Sequence, residues 1–340
     1  MARNVYGLDL GTYEIKIYDK KHNEMYKVKD AIAIKDKKTI LATGDEAYEM
    51  YEKAPANIEI AFPMKEGVIS RFNDMQYLLN TLLKSGTKLS RGADYVIAVP
   101  TDVTEVEKKA FYDLLIHSSA KAHAVSVIER GIADAIGVGL DVQNEKAIFI
   151  ANLGAETVEL SVISYGGIVL NKLMKRGANH LDLAIQNLLR HKFDFLIGNI
   201  TAEALRKNLG FFSSAEAESM KVSGRNLITG VPEQREISVS VVRSAMKEPI
   251  NDLVKLIRSM IERIPPDILR TVREEGIYLV GGLSNLHGLD YYLSESLDLP
   301  VTIVDEPEFN SISGISKIVT TKEMKKLAYS MLEGNYRWMR

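Results

Sequence analysis

Two short segments of this chain place an acid or amide, a leucine and a glycine at the end of an apolar strand: Asp9-Leu10-Gly11-Thr12 and Asn152-Leu153-Gly154-Ala155. An alternating apolar strand follows each one, with equal spacing from Asp9 to Ile15 and from Asn152 to Val158. Each segment therefore predicts a β-hairpin with a Gly-containing turn. Two such turns facing one cleft could present backbone N–H groups to a phosphate, and Asp9 could hold the water shell of Mg²⁺.

A third segment predicts a strand that breaks at paired glycines. The apolar strand Ile277 to Val280 runs into Gly281-Gly282, and a helical pattern from Leu289 to Leu297 follows. A strand-to-helix turn of this kind is a plausible shelf for an adenosine.

Strands and helices alternate along the rest of the chain, which predicts α/β halves. Thr104 with Glu107 has the spacing of a helix N-terminal capping box, and a long apolar helical face ends at Pro265-Pro266. With 340 residues the chain exceeds the usual size of a single core, so two domains are expected.

Composition excludes several functional classes. The net charge of -2 gives no global attraction to nucleic acid, and the absence of cysteine excludes disulfides and thiolate metal sites. The six histidines show no metal-ligand spacing. The first residues lack the apolar core of a signal peptide, and no apolar run approaches the roughly 18 to 20 residues that span a bilayer. A cytoplasmic protein is expected.

The chain resembles the bacterial actin-like MreB family over nearly its whole length. The resemblance rests on ordered matches at Gly7–Thr12, Val99–Pro100 with Thr104–Glu107, Ala135–Leu140, Val162–Ser164 with Gly166–Val169, Leu196–Gly198 with Thr201–Glu203, Arg225–Gly230, and Gly281–Gly282 with Gly288–Leu289. It implies an actin-like fold of two related RNase H-like halves, ATP and Mg²⁺ in the cleft between them, and polymerisation into filaments. It also implies a scaffold role in cell-wall growth and cell shape at the inner membrane, with cell-wall elongation proteins, and an MreB paralogue, as candidate partners.

On this resemblance, residues 1–142 form domain I with an inserted subdomain at about 31–75, and residues 143–340 form domain II with one at about 180–245. The nucleotide site is then expected to comprise three groups of residues. These are Asp9, Gly11, Thr12, Tyr13 and Glu14; Asn152, Gly154, Ala155, Glu156 and Thr157; and Glu203, Arg206, Asn208, Gly281, Gly282, Leu283 and Ser284.

The departures from the family pattern fall on this site. Asn152 replaces an Asp, Glu156 adds a carboxylate to the second turn, and Arg130 occupies the position of the Glu that orients the attacking water, with Glu129 one position early. Tyr13-Glu14 replaces Ala-Asn, Asn208 replaces a Glu near the ribose, and Leu283 replaces a third glycine. These changes predict weakened ATP binding and little hydrolysis. An active ATPase or phosphotransferase of the wider actin-like superfamily is the alternative.

The orientation of the two new carboxylates decides how strongly they act. Glu14 and Glu156 weaken ATP binding if they point inward, whereas carboxylates that point to solvent leave it intact. A nearby cation would relieve the burial of Glu156, and Arg130 or Arg176 is the predicted partner.

The segment 322–340 reads as an amphipathic C-terminal tail. Met324, Leu327, Ala328, Met331 and Leu332 have the spacing of one helical face, and Tyr336, Trp338 and Met339 then stand between two arginines. One expectation is membrane contact through Leu327, Met331, Tyr336, Trp338 and Met339. The alternative is that the apolar face packs on its own domain, and a third possibility is that only the last residues insert.

Overall fold

The computed structural model describes residues 3–84, 92–117, 121–210 and 218–331. Within these ranges the strands are β1 (Val5–Leu10), β2 (Glu14–Asp19), β3 (Glu24–Lys29), β4 (Ile32–Lys35), β5 (Thr39–Thr43), β6 (Ile58–Ala61), β7 (Met64–Lys65), β8 (Val68–Ile69), β9 (Asp94–Val99), β10 (Ala124–Glu129), β11 (Ile148–Leu153), β12 (Val158–Ser164), β13 (Gly167–Met174), β14 (Phe195–Leu196), β15 (Ser219–Asn226), β16 (Pro232–Ser238), β17 (Ile277–Val280) and β18 (Val301–Ile303).

The α-helices of the same ranges are α1 (Asp45–Glu49), α2 (Phe72–Lys84), α3 (Glu105–Ile116), α4 (Arg130–Val138), α5 (Ala178–Phe193), α6 (Asn199–Leu209), α7 (Val239–Ile261), α8 (Pro266–Glu275), α9 (Leu289–Leu297) and α10 (Asn310–Thr320). Short 3₁₀ helices follow β17 and β18, and a third covers Glu323–Leu327. The predicted capping box forms: the Thr104 hydroxyl accepts from the N–H of Glu107, and the Glu107 carboxylate accepts from the N–H of Thr104.

Two five-stranded sheets with the same topology form the centre of the molecule. The first has the order β10-β9-β1-β2-β3, and the second has the order β18-β17-β11-β12-β13. In each, a three-stranded antiparallel meander is extended by two parallel strands. The predicted repetition of one α/β unit is therefore present, with β1–β2 and β11–β12 as its two hairpins.

Each half carries a smaller three-stranded sheet beside its five-stranded one. Strands β4, β5 and β6 pair in the first insertion, and β14, β15 and β16 pair in the second. A small cluster around Ala31, Ala33 and Ala47 packs the first insertion. Helices α5, α6 and α7 pack on one another beside the second insertion.

The last part of the chain returns to the first half. Helix α10 packs on α4, β1, β2 and β9, and buries Ile312, Ile315, Ile318 and Val319. Because this helix also belongs to a cluster with Ile148, Ile150 and Val280 of the second half, it packs on both halves, and the expected boundary at residues 142 and 143 stays a prediction.

Over Glu323–Leu327 the predicted helix at Met324–Leu332 is a 3₁₀ helix, and Leu332 lies outside the described residues. The backbones of Val127 and Tyr329 exchange hydrogen bonds of 2.8 and 2.9 Å, so the chain pairs with β10 instead of continuing as a helix. Because β10 is an edge strand with unpaired backbone groups, this bridge satisfies those of Val127, and a tertiary contact overrides the local helical pattern at Tyr329.

Candidate functional site

The two predicted turns have the same construction. The N–H of Gly11 donates to the carbonyl of Glu14 at 3.1 Å, and the N–H of Gly154 donates to the carbonyl of Thr157 at 2.8 Å. A Cβ on Gly11 would lie 2.7 Å from the carbonyl oxygen of Glu14, and one on Gly154 would lie 3.0 Å from that of Thr157. The first turn is too tight for a side chain at Gly11, and the second leaves little room for one at Gly154.

The remaining N–H groups of the turns are available to a ligand. Within the described ranges, those of Thr12, Tyr13 and Ala155 donate to no backbone carbonyl, and all three residues line a common cleft of about 400 Å³. Backbone N–H groups grouped in a turn form a concave anion site. The cleft is large enough for a small-molecule ligand, since such pockets measure about 300 to 1,000 Å³.

Most of the predicted nucleotide residues line this cleft. They are Asp9, Gly11, Thr12, Tyr13, Glu14, Asn152, Gly154, Ala155, Thr157, Glu203, Arg206, Gly281, Gly282 and Leu283. Glu129, Glu156, Asn208 and Ser284 do not line it, whereas Arg130 does. The lining also includes residues that were not predicted from the sequence, among them Lys16, Lys27, Gly67, Asn179, Lys207, Asn285, Glu308 and Ser311.

The hairpin register places one charged side chain beside each predicted ligand. Asp9 is paired with Lys16, and Asn152 with Glu159, at equivalent positions of the two hairpins. Directly paired residues project to the same face of a sheet. The register that the repeated spacing predicts would therefore have identified Lys16, whose Nζ lies 3.9 Å from Oδ2 of Asp9.

Arg130 joins the two hairpins from the N-terminus of α4. Its guanidinium lies 3.7 Å from Oδ1 of Asp9 and 3.9 Å from Oε2 of Glu159, and it donates to the carbonyl of Leu10 at 3.5 Å. Asp9, Arg130 and Glu159 are all at most 7% exposed. Arg130 is thus a buried cation that neutralises carboxylates of both hairpins.

This arrangement does not fit a Mg²⁺ ion held through Asp9. Both carboxylate oxygens of Asp9 face a fixed cation, and the corresponding residue of the second hairpin, Asn152, carries no charge. Among the residues whose placement is described, no group of three or more His, Cys, Asp or Glu side chains could hold a metal ion. A divalent ion between the turns would face the charges of Arg130 and Lys16 at short range.

Asn152 is fixed by a buried polar network. Its Nδ2 donates to Oδ2 of Asp134 at 2.7 Å and lies 3.3 Å from Oγ of Ser311, and Ser311 in turn donates to Oδ1 of Asp134. Burial raises the pKa of Asp134 to about 7, although the hydrogen bonds from Ser311 and Asn152 oppose that shift. The amide at position 152 therefore serves as a donor to an acid beneath the second turn.

Glu14 is neutralised within the first half. Burial alone would raise its pKa, but the hydrogen bond and the charge of Lys29 outweigh burial and hold the pKa below its usual value. Nζ of Lys29 lies 2.6 Å from Oε1 of Glu14, and Nζ of Lys27 lies 3.6 Å from it. Glu14 lines the cleft as one member of a charge cluster, and its negative charge is compensated.

Glu156 belongs to the second turn but does not line the cleft. Its Oε2 accepts a hydrogen bond of 2.6 Å from the N–H of Glu66, in the turn between β7 and β8. The predicted pair with Arg130 or Arg176 is wrong, because Arg130 lies against Asp9 and Glu159 and Arg176 lies 3.4 Å from Asp252. Glu156 ties the second turn to the first half, and burial raises the pKa of its carboxyl group.

One end of the cleft is closed by aromatic and acidic side chains. The hydroxyl of Tyr13 donates to Oε1 of Glu203 at 2.9 Å, and the hydroxyl of Tyr48 lies 3.4 Å from Oε2. Burial, followed by the charge of Glu203, raises the pKa of Tyr48 to about 12. These contacts connect the two inserted subdomains across the mouth of the cleft, and we refer to Tyr13, Tyr48 and Glu203 as the tyrosine clasp.

The other two polar residues predicted in α6 have different roles. Arg206 is buried and donates to both oxygens of Asp182, at 2.7 and 3.2 Å. Asn208 donates to the carbonyl of Ala204 on the exposed side of the helix, so it does not reach a ligand in the cleft. Arg206 borders the cleft through a side chain whose charge is already paired.

The third segment forms the predicted strand and turn. Gly281 has a φ of 86°, and a Cβ there would lie 2.7 Å from Oδ1 of Asn152, so glycine allows β17 to pass the second turn closely. Leu283 is buried and lines the cleft, whereas the buried Ser284 donates to the carbonyl of Val280. Leu283 provides an apolar surface for a ligand, and Ser284 holds the turn.

The predicted membrane residues fall into two groups. Leu327 packs on the cluster that joins α4 to α10, and Met331 packs on the core of the first half. Tyr336, Trp338 and Met339 lie outside the described residues. In the ranges that the structure covers, no helix combines the length and the apolar character needed to cross a bilayer.

Comparison with known proteins gives one consistent result. The family model described as MreB/Mbl protein matches residues 3–327. The cell shape-determining protein Mbl of Bacillus cereus is 31% identical over 314 residues, which cover 90% of this chain and 92% of that protein. The cell shape-determining protein MreB of Escherichia coli is 31% identical over 316 residues, covering 90% of each.

Structural comparison agrees with the sequence comparison. The crystal structure of MreB5 of Spiroplasma citri bound to AMPPNP superposes with a TM-score of 0.89 at 27% identity, covering 96% of this chain and 98% of that one. The predicted actin-like α/β fold is confirmed by this agreement.

Proposed function

Because this chain belongs to the MreB/Mbl family, we propose that it is a nucleotide-binding, filament-forming scaffold protein of cell shape. The observation that carries the proposal is the convergence of the two phosphate turns and the Gly281-Gly282 turn on one cleft. ATP or ADP would place its phosphates between Gly11 and Gly154, and its base against Leu283. The AMPPNP found in MreB5 of Spiroplasma citri supports this choice of ligand.

We expect nucleotide binding with little hydrolysis. A residue that positions or deprotonates water contributes about 10² to 10⁴ in rate, and Arg130 can do neither because it is a cation. Glu129 does not line the cleft. Assembly would then depend on nucleotide occupancy rather than on turnover, and the active ATPase or phosphotransferase remains the alternative.

Filament pelleting and phosphate release test this proposal together. The wild-type chain is expected to sediment more completely with AMPPNP than without nucleotide, and to release little phosphate from ATP. Gly11→Ala should abolish the nucleotide effect, since the new Cβ meets the carbonyl of Glu14. Gly167→Ala is the matched control, because Gly167 is exposed and its Cβ would have only ordinary contacts.

Two results of these assays would contradict the proposed function. Sedimentation that is independent of nucleotide would contradict the nucleotide-controlled scaffold. Rapid phosphate release, lost in Gly11→Ala, would favour the enzyme.

We further propose a peripheral location at the inner face of the cell membrane, reached through the end of the tail. Leu327 and Met331 pack on their own domain, so Tyr336, Trp338 and Met339 are the side chains expected to insert. Co-sedimentation with anionic vesicles should be strong for the full chain and weak for a form ending at Glu333. Equal binding of the two forms would contradict the proposal. Self-association, a paralogous MreB and cell-wall elongation proteins are the proposed partners.

A further inference from the structure

The charge pattern around Asp9 carries an inference about how the cleft binds its ligand. We propose that Arg130, with Lys16, replaces the divalent cation, so that the protein binds a nucleoside polyphosphate without a metal ion. The inference rests on the proposed nucleotide-binding function and specifies the form of the ligand: the free polyphosphate anion rather than its magnesium complex.

Arg130 lies between the two hairpins. Arg130 lines the cleft from the N-terminus of α4, between the hairpin that carries Asp9 and the hairpin that carries Glu159. A ligand whose phosphates contact both turns would meet this guanidinium at the centre of the clamp.

Arg130 retains N–H donors for a ligand. A guanidinium has five N–H donors. Within the described ranges Arg130 makes one hydrogen bond, to the carbonyl of Leu10 at 3.5 Å. Its distances to Asp9 and Glu159, 3.7 and 3.9 Å, are those of ion pairs without a hydrogen bond. Donors therefore remain for phosphate oxygens, and the planar group suits a bidentate contact with phosphate.

Neighbouring carboxylates offset the free energy needed to bury the charge of Arg130. Arg130 is held between two carboxylates, so its positive charge is stable in the buried site before any ligand binds. Lys16 approaches the other oxygen of Asp9, at 3.9 Å. Asp9 consequently serves as an anchor for two cations, and a magnesium ion would have to displace them to reach it.

Binding of ATP with Mg²⁺ and with EDTA tests the inference directly. Calorimetry on the full-length protein is expected to give dissociation constants that agree within about threefold in the two conditions. Binding in Mg²⁺ that weakens by thirtyfold or more in EDTA would overturn the inference while leaving nucleotide binding intact. Absence of binding in both conditions would instead contradict the proposed function.

Variants of Arg130 sharpen the test. In Arg130→Gln the metal-free affinity should fall by tenfold or more, and Mg²⁺ should now strengthen binding, because Asp9 has lost one of its cations. Arg176→Gln is the matched control: it removes the same charge at a residue that pairs with Asp252 outside the cleft, and should leave both constants unchanged. Arg130→Lys keeps the charge and should stay metal-independent. If Arg130→Gln and wild type show the same ratio of affinities, Arg130 does not replace the metal.

Discussion

The hydrogen bond between Asn152 and Asp134 makes a specific prediction about placing an aspartate at position 152, the residue that the resemblance to the MreB family implies there. In Asn152→Asp the new carboxylate oxygen would lie 2.7 Å from Oδ2 of the fully buried Asp134. Two ionised carboxylates at that separation repel by about 6 kcal/mol at an effective dielectric constant of 20. The pair avoids most of this repulsion by retaining one proton.

The sign of the pH dependence follows from that proton. Each group has a pKa of about 3.9 in the unfolded chain, and the pair has a higher pKa in the folded protein. The stabilising effect of the bound proton is complete below the unfolded value and is lost as the pH rises through the folded value. Asp134 of the wild type already holds a proton up to its pKa of about 7, so the two proteins lose stability in parallel below that pH, and the variant loses more above it. The variant should therefore be less stable than wild type by about 2 kcal/mol at pH 8.5, and by less than about 1 kcal/mol at pH 5.5.

Urea unfolding at the two pH values measures the effect. Asn144→Asp is the matched control, since Asn144 donates to Asp141 over the same 2.7 Å on the exposed surface, where solvent screens the charges. The exchanged double variant Asp134→Asn with Asn152→Asp should recover stability, because the amide and the carboxylate only change places. An Asn152→Asp protein that loses no more stability at pH 8.5 than at pH 5.5 would refute this account of the network.

Two further changes test contacts at the edges of the site. Tyr13→Phe removes the hydroxyl that donates to Glu203, and the loss of one hydrogen bond to a charged group should make nucleotide release about tenfold faster in a stopped-flow chase of fluorescent nucleotide. Tyr291→Phe, at an exposed position, should not change the rate of release. Deletion of residues 322–340 should lower the melting temperature by several degrees, because it removes the backbone pairing of Tyr329 with β10. Deletion of residues 334–340 keeps this pairing and should leave the melting temperature unchanged. Equal melting temperatures of the two deletion variants would show that this pairing does not stabilise the fold.

The local parts of this fold were predictable from local sequence. Equal spacing around Gly11 and Gly154 predicted the two hairpins, and the paired glycines at 281 and 282 predicted the third turn. These features depend on residues that are neighbours in the chain. The same register also places Lys16 opposite Asp9, although only the structure shows both beside Arg130.

Contacts between distant segments were not predictable from one sequence. Glu156 caps the N–H of a residue 90 positions away, and nothing in the local pattern marks Glu66 as its partner. Ser311 reaches Asp134 across 177 positions. The apolar spacing at Met324–Met331 is compatible with a helix, but the edge of β10 determines the outcome.

The packing of α10 on the first half has a consequence for biosynthesis. Asn310 donates to the carbonyl of Asp134, a residue that leaves the ribosome 176 positions earlier. At about 5 to 20 residues per second, roughly 9 to 35 s separate the two. During this interval β1 and α4 lack the apolar cover of Ile312 and Ile315. The N-terminal half therefore cannot complete its packing before α10 has been synthesised. A nascent chain arrested before residue 310 should be protease-sensitive, and the full-length chain should be resistant. Resistance of the arrested chain would show that the first half folds without α10.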